Sequence, residues 1–305
     1  MLELQAGDGA WGAYPDRPSA TEPTSLALMS LQASGRTGEA RRRAADWLVS
    51  WQREDGSWPV SAQTQSAGWS TSFAVMALAG EGGREEAARR GARWLVREKG
   101  RGLPWLTKLY FRFFPNQQSV NVLDPSLVGW PWATDTFSWV EPTAYAMIAL
   151  RRLPADLRPR GSAGRLDMAR RMLADRMCYE GGWNYGNKEV LGENLWPYAD
   201  TTALALVALG GPAADESVSE RDQRLADVRR LSLDALGRML ERNRSGIALA
   251  WSILCYRLYS LESAQLERWL ADSYAQTGFL DETRVVATAA LALAGGEALF
   301  RDGGA

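Results

Sequence analysis

The chain has 305 residues, 46% apolar and 23% charged, with a formal net charge of −1, a balance that sets aside nucleic acid as a partner. It contains no histidine, so His-based triads and most zinc sites are excluded, and acid–base chemistry falls to Asp, Glu, Tyr or Cys. No apolar run approaches the ~18 residues of a membrane span and the N-terminus carries no basic-then-apolar signal, so the cytoplasm is the expected compartment.

In chain order, a turn-forming stretch, Gln5-Ala-Gly-Asp-Gly-Ala-Trp11, precedes a wholly apolar segment, Glu22-Pro-Thr-Ser-Leu-Ala-Leu-Met-Ser-Leu31. That segment returns as Trp69 to Leu78, Glu141 to Leu150 and Asp200 to Leu209, and more weakly as Glu282 to Leu291. Each copy is apolar on nearly every side and opens on helix-start residues, which predicts helices buried all round. Between them run one-sided stripes: Ala44, Trp47, Leu48 and Trp51 in 41–52; Ala88, Gly91, Trp94 and Leu95; Ala169, Met172 and Leu173; and Leu266, Trp269 and Leu270. A further outer helix is expected across 225–242 and a further inner one across 246–260. Wholly apolar inner helices alternating with amphipathic outer ones describe a double ring, with inner-helix starts gathered at one end. Six inner helices against five outer ones leave the first without a partner, and the N-terminus is expected to be short of its natural start. Cys178 and Cys255 are too few for a disulfide framework and read as buried thiols.

Gln52-Arg-Glu-Asp-Gly-Ser-Trp58 resembles the Gln–Trp repeat motif of squalene–hopene and oxidosqualene cyclases. Gln5 to Trp11 is a second copy, and Glu180-Gly-Gly-Trp183 is a third that lacks the Gln. The passages 129–144 and 182–187 resemble a bacterial subgroup of short repeat proteins related to these cyclases. The resemblance implies an all-α, single-domain (α/α)6 toroid of the terpenoid cyclase and prenyltransferase type over residues 1–305, with one outer helix missing at the N-terminus. It also implies an isoprenoid or other hydrophobic small molecule as the bound partner.

Protonation-initiated members of that family carry Asp-x-Asp-Asp-Thr-Ala at an inner-helix start, where the central Asp protonates an alkene or epoxide. Tyr198-Ala-Asp-Thr-Thr-Ala203 matches it with Asp200 as the central acid, Tyr198 in place of the first Asp and Thr201 in place of the third. Glu141 holds the same place one repeat earlier, and Asp135 is a further acid candidate that also fits a turn. The competing explanation is structural: Glu22, Glu141, Asp200 and Glu282 all open inner helices, where carboxylates favour the dipole and cap free N–H groups. Trp130, Trp132, Phe137, Trp139, Trp183, Tyr185 and Trp196 crowd the loops leading into two inner helices. They either line a carbocation-stabilising cavity or plug the mouth as core. The apolar insertion at 103–115 suggests a lid, or a lip in peripheral contact with a membrane. No metal or cofactor is implied. Three readings follow: a cyclase or isomerase with Asp200 as general acid, a non-catalytic lipid-binding toroid, and a carbohydrate-active α/α barrel using Glu141 and Asp200 as a pair.

Overall fold

The computed structural model describes residues 1–36, 38–102, 123–211 and 220–301, so the segment 103–115 lies outside the described residues. Eleven α-helices are present among them: α1 (Thr21–Ala33), α2 (Glu39–Ser50), α3 (Ser70–Leu78), α4 (Glu85–Arg97), α5 (Val140–Arg152), α6 (Ser162–Arg176), α7 (Ala199–Leu209), α8 (Glu220–Leu240), α9 (Gly246–Leu258), α10 (Ala264–Thr277) and α11 (Thr283–Leu293). Each of the five inner starts expected from the repeat falls within one residue of the observed start. Two small hairpins, β1 (Trp130–Pro131) with β2 (Ser138–Trp139) and β3 (Glu189–Val190) with β4 (Glu193–Asn194), decorate the loops before α5 and α7.

The odd-numbered helices close a ring. Each packs on the next, from α1 through α3, α5, α7 and α9 to α11, and α11 returns to α1. The even-numbered helices form the outer layer, with α2 against α1 and α3, α4 against α3 and α5, α6 on α5, α8 on α7 and α9, and α10 on α9. An inner helix thus has neighbours on both flanks and behind, which is why its sequence is apolar all round. Leu204 to Leu209 are at most 2% exposed, whereas Arg42 on α2 is exposed. Alanines such as Ala74, Ala77, Ala146, Ala149, Ala205 and Ala208 are wholly buried and let the ring draw tight. Among the described residues no helix is long and apolar enough to cross a membrane.

The Trp loops are one device used four times. The backbone N–H groups of Trp11, Trp58, Trp130 and Trp183 donate to the hydroxyls of Thr24, Thr71, Thr143 and Thr202 on the following inner helices, at 2.9–3.1 Å. Each indole Nε1 donates to a carbonyl further back, on Met1, Leu48, Leu95 and Leu173 respectively. Leu48, Leu95 and Leu173 lie in the last turns of outer helices, so the tryptophan satisfies a carbonyl that helix geometry leaves free. Gln5 and Gln52 complete two copies, each donating to its own turn and to the first turn of the next outer helix. In the Trp130 copy Arg165 takes that task, donating to the carbonyls of Glu98 and Gly129 while lying 3.9 Å over the indole. By these bonds the 3-10 turn Leu2–Leu4, which follows Met1, corresponds to the end of an outer helix, and among the described residues the outer layer has five full helices. Gly56 adopts φ +94° and a Cβ there would meet the Arg90 carbonyl at 2.6 Å, so the turn requires glycine.

The two ends of the ring differ in charge. At the C-terminal ends of the inner helices, the buried Arg151 donates to the carbonyls of Val207, Ala208 and Phe300, and Arg152 to Leu299 and the Gln32 side chain. Burial pulls Arg152 down to about 10, with Glu81 opposing. These guanidiniums sit where exposed helix carbonyls attract positive charge. From that end Phe300 lies tilted against Trp251 at 6.0 Å, and the rings continue through Tyr145 to Phe73 as one connected chain.

Candidate active site at the mouth of the ring

The opposite end, where the inner helices begin, gathers the acids. Glu22 lies in the first turn of α1, Glu141 in that of α5 and Asp200 in that of α7, while Glu282 precedes α11 and Arg284 lies in its first turn. These helices come from different sides of the ring, so a single repeat position converges on the axis. Arg284 Nε stands 3.5 Å from Glu22 Oε1. Glu141 is 8% exposed and feels Arg284, Asp200 and Glu22 together.

None of these carboxylates is a cap. The residues preceding α1, α5 and α7 are Ala20, Trp139 and Tyr198, and no side-chain cap bond forms at any of them, nor from Glu282 at α11. The acids still gain from the positive helix end, but capping does not account for the burial of Glu141. Burial pushes Glu22 up to about 7 against the opposing pull of Arg284, with Glu282 adding to the rise. Burial likewise raises Glu141 to about 7, with Arg284 opposing and Asp200 and Glu22 contributing. The Arg284 guanidinium is the positive charge among these groups, beside Tyr145, Glu22, Glu141 and Glu282. Tyr145 is fully buried beside this group, and burial raises its phenol. Thr201, which replaces the third Asp of the family pattern, is wholly buried with its hydroxyl unpaired among the described residues.

Aromatic rings form the wall. Trp69, just before α3, packs edge-on against Trp132 at 5.6 Å and Phe73 at 5.9 Å, and Trp132 reaches Tyr145 at 6.5 Å. On the α5–α7 side Tyr185 and Tyr198 lie 5.0 Å apart, and burial followed by Asp200 and Glu141 raises the Tyr185 phenol. Phe137 (62% exposed), Trp139 (39%), Tyr185 (48%), Trp196 (67%) and Tyr198 (43%) are a rim of exposed rings on the loops leading into α5 and α7.

Several sequence expectations change. Trp130 and Trp183 are buried framework residues whose ring N–H groups are spent on helix carbonyls, as the core reading of these rings expects. Asp135 is exposed in the β1–β2 turn at φ +63° and sits near Glu98, whose carboxyl burial and then Asp135 raise. It is therefore a turn residue and does not join the acids at the mouth. Asp200 is half-buried rather than enclosed, and Glu141 is the more buried of the pair. Glu22, Tyr145, Trp69 and Arg284 are the members that the sequence reading did not place in the site. Glu22 and Trp69 occupy the same repeat position as Glu141 and Asp200, which is the signal that points to them. Among the described residues no group of three or more His, Cys, Asp or Glu side chains could hold a metal ion.

No family model matches this chain, and no curated protein matches it in sequence. Among solved structures it is similar to the type II terpene cyclase MstE from Scytonema in complex with merosterolic acid A: TM-score 0.50 and 13% identity over 96% of this chain and 94% of that one. A protein from Actinoplanes is similar over 91% of this chain and 76% of its own, at 19% identity and a TM-score of 0.49. Trypsin-activated α-2-macroglobulin from Escherichia coli matches at 15% identity and a TM-score of 0.42, over 90% of this chain and 17% of the macroglobulin. At these identities the likeness is one of fold: a terpene cyclase-like helical toroid.

Proposed function

We propose that the chain is a terpene cyclase-like enzyme that starts its reaction by protonating an isoprenoid at the mouth of the ring, with Glu141 as general acid. The observation that supports this reading is a pair of carboxyls, the buried Glu141 and the largely covered Glu22, raised to about 7 near Arg284 and an aromatic wall. Groups with such values are about half protonated at neutral pH and can both deliver and take back a proton. The proton passes from Glu141 to the substrate, the electron pair of the attacked group takes it up, and positive charge develops on carbon. Ring faces of Trp69, Trp132 and Tyr145 would stabilise that charge by roughly 1–2 kcal/mol each when desolvated. Deprotonation of the cation closes the cycle, with the Glu141 carboxylate as acceptor.

The acid strength narrows the substrate. A carboxyl of pKa about 7 is a weak donor for a plain alkene, which the family meets with a strong, clustered acid. An epoxide oxygen accepts a proton far more readily, so an isoprenoid epoxide fits this site better than a simple polyene. Its chain would lie over Phe137, Trp139, Tyr185, Trp196 and Tyr198. Exposed rings around carboxyls also suit stacking on sugars, which keeps a carbohydrate-active site as the second reading. A purely binding role leaves two carboxyls of raised pKa at the base of the site without a task.

The test is to incubate the protein with linear isoprenoids, their terminal epoxides and their diphosphates, and with oligosaccharides, then to identify products by mass spectrometry. Cyclised or isomerised product from an epoxide is expected, falling about 10²-fold or more in Glu141→Gln. Undiminished product from Glu141→Gln would remove it as the acid, and release of sugars alone would establish the second reading.

A further inference from the structure

A second concave feature lies on the outer wall, away from the mouth. It is a cleft of about 670 Å³ along the outward face of α4, bounded by Glu54 and Asp55 at one side and by the 156–160 loop at the other. Six arginines line it, Arg89, Arg90, Arg93, Arg97, Arg158 and Arg160, against three carboxylates, Glu54, Asp55 and Asp156. On a chain whose formal net charge is −1, this is a marked local excess of positive charge.

The arginines divide by what already occupies them. Arg90 donates to the carbonyls of Arg53 and Glu54 and belongs to the framework. Arg158 is pinned to the carbonyls of Leu153 and Arg151, which fixes its guanidinium at the cleft wall. Arg89 and Arg93 share one carboxylate, Glu86, at 2.7 and 2.6 Å. Arg97 donates only to the Arg93 carbonyl, and among the described residues neither Arg97 nor Arg160 has a carboxylate partner. Arg89, Arg93 and Arg97 stand one helical turn apart, a rise of about 6 Å per step, so they present a ladder of planar forks along the cleft. Val96, Leu157 and Pro159 add an apolar patch to the lining.

We propose that this cleft binds a small organic molecule bearing two or more linked phosphates. Guanidinium forks pair bidentately with phosphate oxygens, and a ladder of them matches successive phosphates better than it matches a single carboxylate. The volume lies in the range of small-molecule sites, about 300–1,000 Å³, and the apolar patch would take the organic part. The site is separate from the acids at the mouth and does not depend on the reaction proposed for them.

The test is isothermal titration of the full chain with inorganic pyrophosphate, with sulfate at matched ionic strength as the competitor. Saturable pyrophosphate binding is expected, weakened at least tenfold in Arg97→Ala/Arg160→Ala and unchanged in Arg36→Ala, an exposed position outside the cleft. A Lys pair at the two positions, Arg97→Lys/Arg160→Lys, keeps charge and fold and should fall between, because it loses the fork. Absence of saturable binding, equal displacement by sulfate, or equal affinity in the double Ala variant would each overturn the proposal. So would binding of anionic vesicles or of an acidic peptide by a chain that does not bind pyrophosphate.

Discussion

At the residue scale, Glu22 and Glu141 differ from ordinary surface acids in when they release their protons. Folded, they hold them up to about pH 7; unfolded, they release them near pH 4.3. The native chain therefore binds more protons across that window. The stability these groups contribute is complete below about pH 4 and is lost as pH rises through 7. Thermal melts should show a falling Tm between pH 5 and pH 8. The Glu22→Gln/Glu141→Gln variant should flatten that fall and exceed the parent at pH 8 by on the order of 1–3 kcal/mol. An unchanged pH profile in the variant would mean the two carboxyls ionise normally. Asp200 was legible from its family-like context and Glu141 from its repeat position. The sequence did not reveal which acid is most buried, because burial depends on Tyr145, one turn on from Glu141, and on the rings that Trp69 and Phe73 bring to the axis from another segment.

At the scale of the element, the Trp loop couples an outer helix to the inner helix that follows it. Trp58 is wholly buried, its backbone N–H donates to Thr71 and its Nε1 to the last turn of α2. Trp58→Phe keeps most of the packing but leaves the Leu48 carbonyl only its longer bond from the Trp51 N–H at 3.3 Å, so urea unfolding should show a loss of roughly 1–3 kcal/mol from the lost bond and the reduced volume. Stability within a few tenths of the parent would show that the indole N–H is dispensable. Inner helices were readable because their period is overridden by all-round apolarity, and outer ones because their stripe is one-sided. The Trp130 copy carries no Gln in its own turn, since Arg165, from the following outer helix, makes those bonds from a distant part of the sequence. The β1–β2 and β3–β4 hairpins were not expected, since two-residue strands leave no alternation to read.

For the whole molecule, closing six inner helices into a ring sends every inner N-terminus to one end and every C-terminus to the other. The dipoles add, so one end favours negative charge and the other positive. Arg151 and Arg152 seal the C-terminal end, where Phe300 lies against Trp251, and the N-terminal end is left to carry Glu22, Glu141, Asp200 and Glu282 with Arg284. The acids are thereby confined to one mouth. The proposed reaction requires the acids there to hold protons near neutral pH, and carbon-13 NMR titration of glutamate-labelled protein measures this most directly. Two side-chain carboxyl signals should titrate near pH 7, one vanishing in Glu22→Gln and the other in Glu141→Gln. A titration in which every glutamate is ionised by about pH 5, near its unperturbed range, would contradict it.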